Sequence, residues 1–185
     1  GAQLPSALTG TRYGTPMSSS IRLPYDRWPQ YNRRLRDVIA EMSPDQLAAR
    51  PAPDRWPIWA TVGHTAAARV YWLCEVVGEP GIETTPFHDL ANAPGWEDDL
   101  EHPRDADELT HALDATFAIV DGCLDRWTVS MLADEIRRDY GGTTQVHTRG
   151  SIVQRLFSHD AYHCGELSQT LGIHRLPQID LWRPE

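Results

Sequence analysis

The sequence contains no lysine, only three cysteines and no long uninterrupted apolar segment. Without an apolar run of about 18 residues, no helix is expected to cross a membrane. The first residues lack the basic and apolar regions of a signal peptide, so we expect no secretion. Cys74, Cys123 and Cys164 are odd in number and form no C-x-x-C pair, which favours a reducing compartment such as the cytoplasm over a disulfide scaffold.

The charge balance is acidic, with 26 Asp and Glu against 17 basic residues, all of them arginine, and a formal net charge of -9. An acidic surface repels phosphate backbones, so we expect no nucleic-acid partner. The hydrophobic fraction of 41% over 185 residues is sufficient for one domain with an ordinary core.

Turn-forming residues divide the chain into one extension and one domain. Residues 1–20 are rich in Gly, Ser, Thr and Pro without apolar periodicity, which predicts a flexible N-terminal extension. Residues 21–185 form the predicted domain. Apolar residues at helical spacing predict four long helices in it. These predicted helices cover residues 26–42 with Asp26 as the cap, 58–77 ending at Gly78, 105–127 capped by Asp105 or Asp107, and 149–171 capped by Thr148 and ended by Gly172.

The connections between these helices differ in length. Residues 79–104 contain four prolines and are predicted to form a long loop, which in a small domain is often functional or disordered. Residues 128–148 are ambiguous, although Gly141-Gly142 between polar alternating runs is compatible with a small hairpin. We therefore predict an all-α fold, a four-helix bundle with irregular N- and C-terminal extensions.

The fourth predicted helix carries two histidines four residues apart, His159 and His163, in the sequence S-H-D-A-Y-H. At about 100° per residue they share a narrow stripe with apolar residues, so both imidazoles are predicted to face the core. The residues of this stripe are Ile152, Leu156, His159, His163 and Leu167. A buried polar group needs a partner, and a shared metal ion supplies one. The alternative is an accidental spacing, because H-x-x-x-H is a common pattern.

His64 on the second predicted helix is the third candidate ligand. It lies near the margin of a broad apolar arc among small residues that would allow the fourth helix to approach closely. Its alternative interpretation is a hydrogen-bonded core or boundary histidine. Three neutral imidazoles with an open position suit Zn²⁺ and, with added waters, Ni²⁺, Fe²⁺ or Mn²⁺. The remaining histidines, His88, His102, His111, His147 and His174, are interpreted as surface residues.

Two further interpretations concern the acidic residues around this motif. The H-D-x-x-H pattern resembles the H-E-x-x-H of zinc proteases, but Asp160 is shorter than the glutamate and Gln169 stands where the third ligand of the extended motif would be. Glu166 lies three residues beyond His163 on nearly the same face. It is a candidate for orienting a ligand histidine or acting as a base, and otherwise is an ordinary surface glutamate.

Over about residues 26–172 the sequence resembles the DinB-like family, also called the DinB/YfiT group. The resemblance is carried by W-P-I-W-A-T-V-G-H at 56–64 and H-D-A-Y-H-C-G-E-L at 159–167. The family pattern has one histidine on the second helix and H-x-x-x-H on the fourth, followed by a Gly-Gln/Glu-Leu run. His64, His159, His163 and the run Gly165-Glu166-Leu167 match that pattern.

The resemblance implies a four-helix bundle that binds a divalent metal and often dimerises. It also implies a metal-dependent S-transferase that joins a small thiol, mycothiol or bacillithiol, to a small electrophile. The expected partners are therefore a small-molecule thiol, an electrophile and a second copy of the chain. The alternatives are a metal-dependent hydrolase and a metal-binding stress or interaction protein without turnover.

Overall fold

The computed structural model describes residues 19–90, 93 and 95–184. The extension predicted over residues 1–20 therefore lies outside the described residues except for Ser19 and Ser20. Ser20 forms an isolated antiparallel bridge with Thr128. No helix in the described part of the chain is both long and apolar enough to span a bilayer.

Five α-helices and one two-stranded antiparallel sheet supply the main regular structure of the described residues. Their bounds are α1 (Trp28–Ala40), α2 (Pro44–Leu47), α3 (Ile58–Val70), α4 (Ala106–Arg126), β1 (Glu135–Tyr140), β2 (Thr143–Thr148) and α5 (Arg149–Ile173). The chain is thus mostly helical, and the prediction of a purely α fold is corrected by the hairpin. That hairpin follows from Gly141 and Gly142, which both have positive φ, as a two-residue turn that matches strand twist requires.

The four long helices α1, α3, α4 and α5 pack around one core. Helix α4 packs against both α1 and α3, while α5 packs against α3. Helix α3 is buried around most of its circumference, and small residues such as Ala60, Gly63 and Ala66 let its neighbours approach closely. Helix α3 is therefore the element that packs against both α4 and α5.

Helix ends follow the predicted caps at two of the long helices. Asp105 and Thr148 both form capping boxes, with Glu108 and Ser151 respectively. The prediction that Asp26 caps the first helix is wrong, since the preceding residues Leu23–Tyr25 form a 3-10 turn that ends at Asp26. Helix α1 accordingly starts later than predicted and ends at Ala40.

The ends of α3 and α5 also differ from expectation. Beyond Val70 the helix continues to Val76 as a π-helix, for which the apolar pattern gave no signal, and Gly78 ends it with a φ of 86° as predicted. Gly172 does not end α5, which runs to Ile173. A Cβ at Gly172 would lie 2.8 Å from Nε2 of Gln178, so this glycine makes room for the C-terminal segment.

A buried ion pair joins α3 to α5. The Arg69 side chain is 1% exposed, and its Nη2 donates to Oδ2 of Asp160 at 2.8 Å. The same carboxylate accepts a hydrogen bond from Nε1 of Trp28 at 2.8 Å. Arg69 Nη1 donates to Oδ1 of Asn32 at 2.9 Å and to the carbonyl of Leu113 at 3.2 Å. All four long helices are therefore connected through one guanidinium.

We predict that Asp160→Ala lowers the free energy of unfolding by about 3–5 kcal/mol, because it leaves the Arg69 charge buried without its partner. Urea denaturation in the presence of a chelator measures this loss without a contribution from bound metal. The matched control is Asp114→Ala, which removes the exposed pair between Arg36 and Asp114 at 3.1 Å and should cost less than about 1 kcal/mol. Equal losses in the two variants would contradict the prediction.

Candidate metal centre

Three histidine side chains from α3 and α5 converge on one point. Nε2 of His159 lies 3.1 Å from Nε2 of His64 and 3.1 Å from Nε2 of His163. One nitrogen from each residue lies within 4.8 Å of the others, so this group could hold a metal ion. The structure therefore brings together the three histidines that the sequence singled out.

The spacing and the chemistry of these nitrogens fit a divalent metal. With metal–nitrogen bonds of about 2.0–2.1 Å, two tetrahedral ligand atoms lie about 3.4 Å apart, close to the observed separations. Nδ1 of His64 and of His163 each contact a carboxylate, which only accepts hydrogen bonds, so these nitrogens carry the protons. The Nε2 lone pairs of both rings then point at Nε2 of His159, which can donate to one of them at most. A cation satisfies all three lone pairs.

Burial favours the neutral form of the two histidines on α5. It lowers the pKa of His159 to about 3, with further lowering by the neighbouring His163, His64 and the guanidinium groups of Arg69 and Arg155. Burial also lowers the pKa of His163, although the hydrogen bond to Glu166 opposes this. Neutral imidazole is the form that binds metal ions, so these two rings are suited to a cation at neutral pH.

Two carboxylates orient the rings from the side opposite the convergence point. Oε1 of Glu97 accepts from Nδ1 of His64 at 2.6 Å, and Oε2 of Glu166 accepts from Nδ1 of His163 at 2.7 Å. The Glu97 side chain is 14% exposed and that of Glu166 is 46% exposed. Burial alone would raise the pKa of Glu97, but the hydrogen bond from His64 and its own backbone outweigh burial and lower it. Such carboxylate–histidine pairs are typical around metal sites.

Glu97 was not identified from the sequence, because it lies in the long loop before α4. A close approach at Gly63 explains how the loop reaches His64. A Cβ on Gly63 would lie 2.8 Å from Cε3 of Trp96, so only glycine lets this indole lie on α3. Trp96 is buried and stacks with Phe87 at 4.8 Å between ring centroids, which anchors the neighbouring Glu97. The sequence offered only the length of the loop as a signal, and nothing distinguished Glu97 from the acidic residues beside it.

A cavity of about 710 Å³ opens beside two of the three histidines. It lies between the loop at residues 51–56, α3 and α5, and both His64 and His163 line it. The Trp56 ring stands 5.1 Å from the His64 ring, and Glu166 borders the same space. A small molecule in this cavity would therefore lie beside the centre.

The structure separates Asp160 from the histidine cluster. Its carboxylate faces Arg69 and Trp28, so it is not placed to act on a water molecule at the metal, as the glutamate of a zinc protease does. The other histidines lie elsewhere, mostly exposed as predicted. They are His88, His102, His111 and His174, which are exposed, and His147, which is partly buried against Trp72.

Comparison with known proteins identifies the family. The model of the DinB superfamily matches residues 30–167, and the chain belongs to this superfamily. A DinB-like protein from Bacillus cereus ATCC 10987 has a similar fold, with a TM-score of 0.64 and 16% identity over 89% of this chain and 98% of that one. A conserved protein from Enterococcus faecalis gives a TM-score of 0.60 and 17% identity over 84% and 99% of the two chains. No functionally curated protein matches in sequence.

We predict that His159→Ala or His163→Ala loses bound metal, because each change removes one of three converging nitrogens. Elemental analysis of the purified variants measures this. His102→Ala is the control, since that exposed imidazole pairs with Asp99 and does not belong to the converging group. Full occupancy in both variants would refute the ligand assignment.

We also predict that Glu97→Gln weakens metal binding about 10–100-fold without unfolding the protein, because the amide is a poorer acceptor for the His64 Nδ1 proton. Gly63→Ala should weaken it too, since the methyl group displaces Trp96 and with it Glu97. Competition with a chromophoric chelator measures the affinities. Asp98→Asn changes the charge of an exposed neighbour and should leave affinity unchanged. An unchanged affinity in Glu97→Gln would show that the loop has no part in the centre.

Proposed function

We propose that this protein is a metal-dependent S-transferase that joins a low-molecular-weight thiol, mycothiol or bacillithiol, to small electrophiles. The observation that carries the proposal is a three-histidine centre opening onto a cavity of about 710 Å³. Membership of the DinB superfamily supports the metal-binding part of the proposal. The thiol chemistry is the activity that the resemblance of the sequence implied.

The arrangement of side chains favours a catalytic over a structural metal. Structural zinc sites use four protein ligands, whereas catalytic sites keep one position for water or substrate. Among the described residues the converging group contains three histidines, and both nearby carboxylates are engaged with Nδ1 atoms. The thiol of Cys164 on α5 is buried and does not belong to the converging group.

A divalent ion bound at this centre, Zn²⁺ or Ni²⁺ by preference and otherwise Fe²⁺ or Mn²⁺, would supply a Lewis acid that lowers the pKa of a coordinated thiol. Glu166 holds the proton at Nδ1 of His163 and thereby keeps Nε2 directed at the centre. It is therefore a positioning residue. A role for Glu166 as a base would require its carboxylate to leave His163.

The walls of the cavity indicate what kind of substrate it suits. Trp56, Ile58 and Leu167 offer apolar surface for the carbon part of an electrophile or thiol, while Arg55 offers a positive charge to an anionic group. The Tyr162 ring lies 5.1 Å from that of His163 and remains 64% exposed. The hydrogen bond that Tyr162 donates to Glu166 raises the pKa of Tyr162, so its hydroxyl stays protonated and its oxygen can accept a hydrogen bond from a bound ligand.

We predict that thiol transfer depends on the metal and rises with pH through an apparent pKa well below that of the free thiol, because a metal ion favours the thiolate. Stopped-flow assays with purified thiols and a model electrophile measure the rate. Chelation should abolish the rise in rate and added metal should restore it. Glu166→Gln should lower the rate while metal content remains, and Glu75→Gln, an exposed change on another element, should not.

Unchanged transfer by the metal-free protein would rule out this mechanism. Hydrolysis of test esters or amides without transfer from any thiol would favour the hydrolase, which uses the same centre to activate water. Metal binding without either activity would favour a non-catalytic metal-binding protein.

We also propose that the chain forms a homodimer. Leu23 and Trp182 are 81% and 82% exposed, and such large apolar side chains are candidates for burial by a second copy. Trp182 packs against Tyr31 of α1 at 6.0 Å between ring centroids, which places this surface beside the first helix. Sedimentation showing only a monomer at micromolar concentration would refute the dimer.

A further inference from the structure

A second cavity lies on a different face of α5 from the metal centre, against the hairpin. Its volume is about 340 Å³. The lining residues are His147 of β2 and Ser151, Gln154, Arg155 and Ser158 of α5. The four helical residues follow the spacing i, i+3, i+4 and i+7, so they form one polar stripe facing a histidine on the strand. We call this cavity the hairpin groove.

Arg155 lines the groove, and a second guanidinium, that of Arg138, shares one aromatic ring with it. Cζ of Arg138 and Cζ of Arg155 each lie 4.6 Å from the ring centroid of Trp72. Arg138 donates to Oε1 of Gln145 and to the hydroxyl of Tyr71, which are neutral acceptors. In the described ranges of the chain neither guanidinium has a carboxylate partner. Two uncompensated positive charges therefore stand together on a chain whose net charge is -9.

The aromatic residues hold these charges in place. Arg138 also stacks on Tyr71 at 5.6 Å and on Tyr140 at 4.7 Å, and Trp72 is itself buried. The His147 ring packs edge-on against Trp72 at 5.1 Å. Besides burial, both arginines lower the pKa of His147. Positive charge therefore stands beside this ring, and the aromatic contacts hold it in place before a ligand arrives.

We propose that the hairpin groove binds a small tetrahedral oxyanion, the phosphate or sulfate group of a small-molecule ligand. Arg155 and Gln154 of α5 present N–H donors, and His147 of β2 faces them while its Nε2 contacts Oε1 of Gln145 at 3.4 Å. The Ser158 hydroxyl, which now donates to backbone carbonyls of its own helix, can rotate inward. Guanidinium, amide and hydroxyl donors around one concavity suit three or four oxygens better than the two oxygens of a planar carboxylate.

The test is titration with inorganic phosphate, sulfate and a sugar phosphate at constant ionic strength, following the His147 ring signals by NMR. We expect saturable binding that persists after chelation of the metal. Arg155→Gln should weaken it about tenfold or more, since a charged hydrogen bond is removed, and Arg155→Lys should weaken it less. The matched control is Arg137→Gln, because Arg137 lies on the same hairpin but is exposed and paired with Glu135.

The possible outcomes identify the kind of oxyanion that binds and show which results would contradict the proposal. Tighter binding of the sugar phosphate than of phosphate assigns a phosphorylated metabolite, and equal binding assigns the free ion; both support the groove. Equal affinity in Arg155→Gln and the parent protein would overturn it. Loss of binding with the metal would place the anion at the histidine centre instead. Binding of short single-stranded DNA alone would show an unspecific polyanion surface and would also overturn it.

Discussion

The contact between Arg69 and Asp160 is the constraint on which the rest of the structure depends. Removing two charges from water is costly, and the ion pair persists only because hydrogen bonds surround it. Trp28 and Asn32 of α1 and the carbonyl of Leu113 in α4 supply them. Sliding or rotating any one long helix would break at least one of these buried contacts. The pair thereby fixes how the four helices are arranged relative to each other.

This constraint also determines the metal centre. Successive residues of a helix point about 100° apart, so an Asp160 directed at Arg69 turns the preceding His159 toward the cluster. On α3 the same ion pair fixes the height and rotation at which His64 faces α5. His64 and His163 then each meet His159 at 3.1 Å between Nε2 atoms. We infer that the ion pair aligns α3 and α5 so that their histidines converge, in addition to any effect on stability.

Helix α5 carries two sites of different chemistry on neighbouring stripes. The stripe with His159 and His163 is buried and neutral, which suits a soft cation bound through lone pairs. The stripe with Arg155 is open and positively charged, which suits an oxyanion. The aromatic residue Trp72, which follows the end of α3, separates the arginines from the core, and Ser158 directly precedes a metal-facing histidine. One helix thus brings the candidate metal centre and the proposed anion groove within a turn of each other.

The sequence by itself determined the four long helices and the three candidate histidines. Helical periodicity, the caps at Asp105 and Thr148 and the Gly141-Gly142 turn depend on local interactions between residues a few positions apart. The spacing of His159 and His163 on an apolar stripe is local in the same sense. These features predicted an all-α bundle, with a hairpin left as an open alternative, and the residues that converge in it.

Only the tertiary structure decided which distant groups complete the site. Glu97 contacts His64, which is 33 residues away in the sequence. This contact forms because Gly63 leaves space for Trp96, and no local sequence pattern predicts that space. Asp160 was adjacent to the histidines in sequence, yet packing directs it to Arg69, 91 residues away. The start of α1 and the π-helical end of α3 were likewise set by neighbouring turns and packing. Which distant residues pair depends on which helix surfaces the bundle brings into contact. These contacts cannot be read from local patterns in a single sequence.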